Sequence, residues 1–139
     1  MLTKNAQQFK NVLNSHDLIF SESKNDEGYC FFDLKEKLHC GAVVNLKIVF
    51  NADDTLVCIY GFAINGINPI NENYIYEELN YLNSKYTYIT YTLVEDTILT
   101  KTFTRFDNNF NSNIILNLIL ATLQSIDAEY SNLMKIIWW

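Results

Sequence analysis

The sequence predicts a single α+β domain in which helices pack on one antiparallel sheet. Three observations lead there: a long amphipathic helix at the end of the chain, a middle stretch of period-2 strands, and a length of 139 residues, which suits one domain with its own core. The expected order is helix, antiparallel meander, helix, hairpin and a long C-terminal helix packed on the sheet, with residues 1–139 forming one unit.

The last helix organises the rest. From Ser112 onward, Leu116, Ile119, Leu123, Ile126, Tyr130, Leu133 and Ile137 recur at alternating steps of three and four, which sets them on one stripe. Ser112 is the expected cap. A helix of about 25 residues reaches about 37 Å, enough to cross one face of a small sheet. Asn117, Gln124, Ser125, Ala128, Ser131, Asn132 and Lys135 read as its polar back. Ile114 and Leu118 lie off the stripe, so the helix begins apolar nearly all round and has a second surface to bury.

At the other end, Ala6, Phe9, Val12 and Leu13 give a short amphipathic helix between Thr3 and Ser15, closed by His16 and Asp17. Short apolar runs follow, Leu18 to Phe20 and Tyr29 to Leu34, separated by polar breaks ending in Gly28 and Gly41 that read as turns. Ala42, Val44, Leu46, Ile48 and Phe50 then alternate with polar Asn45 and Lys47, a half-buried strand. Asn51 to Thr55 is a hairpin loop. Leu56, Cys58, Tyr60, Phe62 and Ile64 resume the alternation, and Val57 and Ile59 make the other face apolar too, so this strand is expected at the sheet centre. Gly61 and Ala63 leave room for a helix or another chain to come close.

Asn65 to Pro69, with the only proline, stops the strand. Asn71 is the expected cap of a second helix carrying Ile75, Leu79 and Leu82, with Tyr74, Tyr76 and Tyr81 beside them. Glu72 in its first turn and Lys85 in its last suit the helix dipole. Tyr86 to Glu95 and Thr97 to Phe106 read as a hairpin across Asp96. Its apolar and aromatic face carries Ile89, Tyr91, Leu93, Leu99 and Phe103, and its exposed face is rich in threonine. Trp138 and Trp139 are expected to cover a sheet edge, sit at a subunit contact or fray.

Composition narrows the function. The net charge of -6 and pI near 4.7 offer no basic stripe for nucleic acid, and an anionic membrane is an equally poor partner. The opening MLTKNAQQF has no signal-peptide pattern, and the apolar run Ile114 to Leu123 is too short to span a bilayer, so a cytoplasmic location is expected. Cys30, Cys40 and Cys58 form no CxxC motif and read as small hydrophobes.

Catalytic patterns are missing. His16 and His39 sit in no recognisable motif, and four glycines write neither a phosphate loop nor a dinucleotide fingerprint. A metal site from His39, Cys40 and Cys58 is disfavoured, because adjacent residues of an extended chain point to opposite sides. Asp53 and Asp54 lack the rest of a calcium loop. Glu72, Glu77 and Glu78 read as solvated helix carboxylates. No catalytic residue, cofactor or metal is therefore expected. The candidate partner-binding surface is Tyr86, Tyr88, Thr100, Thr102 and Thr104, joined by Ile114 and Leu118.

The hairpin VVNLKIVFNADDTLVCIYGFAI, Pro69 with the helix after it, the hairpin around VEDT and the long last helix stand in the order of the bacterial type III secretion chaperone-like fold. Within it the chain resembles the YbjN family, labelled sensory transduction regulators, over nearly its whole length from Ala6 to Ile137. The resemblance implies a small α+β domain, commonly a homodimer, that works through protein contacts rather than turnover. It brings no catalytic residues. The expected function is a non-enzymatic chaperone-like or regulatory adaptor that binds another protein and itself. The alternative is a small-molecule binder or simple enzyme, with a pocket between long helix and sheet lined by Tyr60, Phe62, Tyr91 and Phe103.

Overall fold

In the computed structural model, which describes residues 1–138, the chain forms α1 (Lys4–Ser15), β1 (Phe20–Lys24), β2 (Cys30–Lys37), β3 (Val43–Phe50), β4 (Leu56–Ile64), a 3-10 turn (Pro69–Asn71), α2 (Glu72–Lys85), β5 (Thr90–Val94), β6 (Thr97–Arg105) and α3 (Ser112–Ile137). The strands make one antiparallel sheet in the order β1-β2-β3-β4-β6-β5. The expected single-domain α+β fold, with its long last helix on the sheet, is what the chain adopts. The strands of the first hairpin outrun their apolar residues: Ser21 to Lys24 pair with Asp33 to Cys30, and β2 continues through Lys35, Glu36 and Lys37 along β3. Polar side chains there face solvent or the sheet edge, so hydropathy alone shortened both strands.

Caps differ in detail from expectation. Thr3 Oγ1 accepts from Ala6 N at 3.4 Å and starts α1. Asn111, not Ser112, caps α3, its Oδ1 accepting from Asn113 N at 2.9 Å; Ser112 is already helical and buried. Asn71 stands at the start of α2, but its side-chain amide donates to the carbonyls of Ile136 and Ile137 and ties α2 to the end of α3. Trp138 is exposed; Trp139 lies outside the described residues.

All three helices use one face of the sheet. On the α1 side, Phe9 packs against Phe32 and Phe50 with ring centroids 5.5 and 5.6 Å apart, and Phe106 and Phe110 extend the aromatic cluster. On the α2 side, Ile75, Leu79 and Leu82 pack with Ile64, Ile67, Ile89 and Ile98. α3, about 39 Å long by its 26 residues, runs over both clusters: Ile115, Ile119 and Ile126 belong to the first, Leu133 and Ile137 to the second.

The helix is rotated from the expected stripe. Its buried line is Ile115, Ile119, Thr122, Ser125, Ile126, Glu129 and Leu133, while Leu116, Leu123 and Tyr130 are only half-buried. Ser125, assigned to the polar back, is inside. The cause is Gly61 on β4, the central strand. A Cβ there would lie 2.6 Å from Thr100 Oγ1, 3.1 Å from Thr122 Cγ2 and 3.1 Å from Ile126 Cδ1. Small and polar side chains of α3 therefore face the sheet where the two come closest.

Sheet phases also need correcting. On β4 the buried residues are Val57, Ile59 and Gly61, whereas Leu56, Cys58, Tyr60 and Phe62 point to the uncovered face; a register shift between Phe62 and Ile64 returns Ile64 to the inside. On β6 it is Ile98, Thr100 and Thr102 that lie buried, and Leu99, Lys101 and Phe103 that face outward. Threonine marked the inner face because α3 brings its own small polar residues there.

The outer edges of the sheet are both blunted. Asn83 of α2 donates its amide to Tyr91 O at 2.9 Å and accepts from Tyr91 N at 2.6 Å, standing in for a neighbouring strand on β5. At the opposite edge β1 is five residues long and polar, with Glu22 paired to Lys10 and Lys24 Nζ bonded to Met1 O.

Gly61→Ala should lower stability by about 1–3 kcal/mol despite alanine's smaller unfolded-state entropy, because the added methyl has no space. Urea unfolding at neutral pH measures it, and an unchanged midpoint would mean that α3 can lift without loss. Ile126→Asp should abolish cooperative unfolding altogether, since it puts a charge into the central contact.

Candidate binding surface

The expected surface residues divide into two sets. Thr100 is inside the fold, and Tyr86 is half-buried and turned toward Glu129. Thr100 is buried against Gly61, and its Oγ1 has no hydrogen-bond partner among the described residues. Tyr86 belongs to a partly buried polar cluster where α3 passes from one apolar cluster to the other. Its centre is Glu129, 4% exposed, whose Oε2 accepts from Lys85 Nζ at 2.8 Å and from Tyr86 OH at 2.5 Å. One turn away, Tyr91 OH and Ser125 Oγ share a 2.5 Å hydrogen bond.

Burial opposes the charge on Glu129, but the bonds from Lys85 and Tyr86 outweigh it and hold the carboxyl below its ordinary range. Burial, reinforced by Glu129, pushes the Tyr86 phenol up. Burial pushes Tyr91 up further still. These shifts favour the ionised carboxyl and the neutral phenols, which suits a structural role for the cluster.

Tyr88, Thr102, Thr104, Ile114 and Leu118 do come together. With Thr87, Thr90, Lys101 and Phe103 they line an open groove of about 650 Å³ between β6 and the first turns of α3. Tyr88 is 75% exposed, Phe103 59% and Ile114 47%. β6 also has an open edge here. Its pairing with β5 ends at Thr90 with Lys101, so Thr102 to Arg105 have no strand on that side. Phe106 N bonds to Thr55 O on the β4 side. Because backbone groups alternate sides along a strand, those of Phe103 and Arg105 face the open edge.

A second surface is the sheet face that no helix covers. Register places its side chains in rows: Phe31, Val49, Cys58 and Phe103 in one, Lys47, Tyr60 and Lys101 in the next, and Asn45, Phe62 and Leu99 in a third. Most are half-buried by their neighbours alone. Crowding within the rows, with Cys58 adjacent, pushes the Tyr60 phenol up.

The pocket expected for a small molecule does not form as such. Tyr60, Phe62 and Phe103 are on the uncovered face and Tyr91 on the inner one, so the four share no cavity. Nor is Cys40 a core residue. It is exposed, and its N–H donates to Asp127 Oδ1 at 2.9 Å. No three His, Cys, Asp or Glu side chains converge as a ligand set among the described residues, and none of the described helices is long and apolar enough to cross a membrane. No family model matches the chain, and no curated protein matches it.

Sequence reading missed Glu129, Asn83 and the uncovered rows. The signal for Glu129 was its phase: it stands three residues after Ile126 and four before Leu133, in line with both.

Because the folded-state pKa of Glu129 is depressed, its contribution to stability is present above the ordinary carboxylate range and is lost as pH falls through the folded value. Glu129→Gln should therefore melt roughly 2–6 °C lower than the parent at pH 7, and the gap should narrow as the pH falls below the ordinary carboxylate range. Thermal melts across that range test it; parallel curves would mean that the carboxylate carries no linkage.

Proposed function

We propose that this chain is a non-enzymatic, cytoplasmic protein-binding domain that works as a homodimer and serves as a chaperone-like or regulatory adaptor. The observation that carries the reading is the groove at Tyr88, Phe103, Ile114 and Leu118, where exposed apolar side chains adjoin an unpaired strand edge. Contiguous apolar surface beside free backbone donors and acceptors is chemistry for pairing with polypeptide, through main-chain bonds for affinity and side-chain contacts for choice. A second copy is the occupant we assign to the groove. The resemblance to the YbjN family and the secretion chaperone-like fold supports the same reading, since dimers that act by contact are common there.

Leu118→Asp should lower the melting temperature far less than Ile126→Asp, because the side chain is half-buried at the rim of the core, while halving the mass measured by sedimentation. A variant of unchanged mass would rule out this dimer surface. Affinity capture from the native host, with Leu118→Asp as matched control, tests the adaptor role: a protein recovered in near-stoichiometric amount supports it, and return of the bait alone counts against it.

A further inference from the structure

The uncovered face of the sheet differs in charge from the rest of the molecule. Lys35 and Lys37 on β2, Lys47 on β3, and Lys101 and Arg105 on β6 all point outward, as the alternation of the buried residues between them requires. Asp33 is the one acidic residue on that face among the described residues. Five of the chain's ten lysines and arginines are thus here with one of its sixteen acidic residues, giving the face a formal +4 and leaving -10 on the remainder. Only Lys47 has an ion partner on the face, Asp33 at 3.4 Å; Lys35, Lys37, Lys101 and Arg105 make no ion pair among the described residues.

The cations are set among apolar side chains. Lys47 Nζ lies 5.5 Å from the centre of the Phe31 ring and Lys101 Nζ 5.8 Å from that of Tyr60, a placement favoured by the ring quadrupole. Val49, Cys58, Phe62 and Leu99 fill the space between. Aromatic and cationic residues with carboxylates depleted are the composition of an interface core whose partner supplies the opposite charge.

We propose that this face is the docking surface for an acidic segment of a partner protein, one that intersperses carboxylates with apolar residues on the side it presents. The inference rests on the protein-binding reading above and names the partner's chemistry. From β2 to β6 the rows span about 15 Å, which about five extended residues cover. Only the first, third and fifth of these residues would turn their side chains to the face, setting carboxylates over Lys101 and Lys35 with an apolar group over Phe62 between them.

Two other occupants fit less well. Two of these chemically identical faces would oppose +4 to +4, so a twofold contact with a second copy is disfavoured electrostatically. A nucleic-acid strand would need ring faces free for bases; here lysines lie over Phe31 and Tyr60, and a polyanion longer than the face would meet the surrounding negative surface.

The test is selection from a random-peptide display library on the purified protein, followed by fluorescence anisotropy of the best peptides, synthesised singly. The expected winners are acidic with interspersed Phe, Leu or Ile. They should bind Lys101→Glu/Arg105→Glu at least about tenfold more weakly than the parent and bind Leu118→Asp as well as the parent. If charge reversal lowers the melting temperature, Lys101→Gln/Arg105→Gln replaces it, with a smaller loss expected in the same direction. Winners without acidic bias, or indifferent to both substitutions, would overturn the proposal. So would an oligouridylate that binds more tightly than any peptide. Peptides that lose affinity only in Leu118→Asp would sink this proposal and leave the protein-binding reading standing; a library yielding no binder would sink both.

Discussion

The close approach of α3 to β4 at Gly61 is the constraint on which the rest depends. A strand residue without a side chain lets the helix settle onto the sheet, and the helix must then present residues small enough to fit: Thr122 and Ser125, with Ile126 beside them. That rotation carries Glu129 inside as well. A buried carboxylate is tolerable only with partners, and these come from the end of α2 and the loop after it, Lys85 and Tyr86. One missing side chain on the central strand thus sets the phase of a 26-residue helix and requires a polar connection between α2 and α3.

Much of the architecture was legible because it is written in periodicity. The inward face of β3, the central place of β4, both hairpin turns, the three helices and the close approach at Gly61 follow from apolar spacing and turn residues. The face assignments on β4 and β6 were not, and the reason is physical. Both faces of these strands carry residues suited to burial, and which face turns in is decided by what lies above it. Threonine at 100 and 102 fits beneath a helix that offers Thr122 and Ser125, so the larger Tyr60, Phe62 and Phe103 stand outside. A reader of one strand at a time sees hydrophobicity; the choice between faces belongs to the pair.

The same error ran through the site. Of the surface residues expected from sequence, Tyr88, Thr102, Thr104, Ile114 and Leu118 meet in one groove because the end of β6 and the start of α3 lie side by side. Thr100 is internal, beside Gly61, and Tyr86 is half-buried with its hydroxyl on Glu129. Net charge misled in a parallel way. An acidic total conceals a basic sheet face, since strand alternation sorts Lys47 and Lys101 away from the inner side, where a charge could not be left bare. Whole-chain charge describes long-range behaviour, and the register of neighbouring strands decides what a partner meets at contact.

Asn83 has a consequence beyond the stability of its own hydrogen bonds. By occupying the backbone of Tyr91 it covers part of the outer edge of β5, and short, polar β1 is a poor template at the far end, so the stretch beyond Lys101 is the part of the sheet best suited to extension. Where only one stretch of edge favours pairing, association through strands closes at a pair and has no ready route to a fibre.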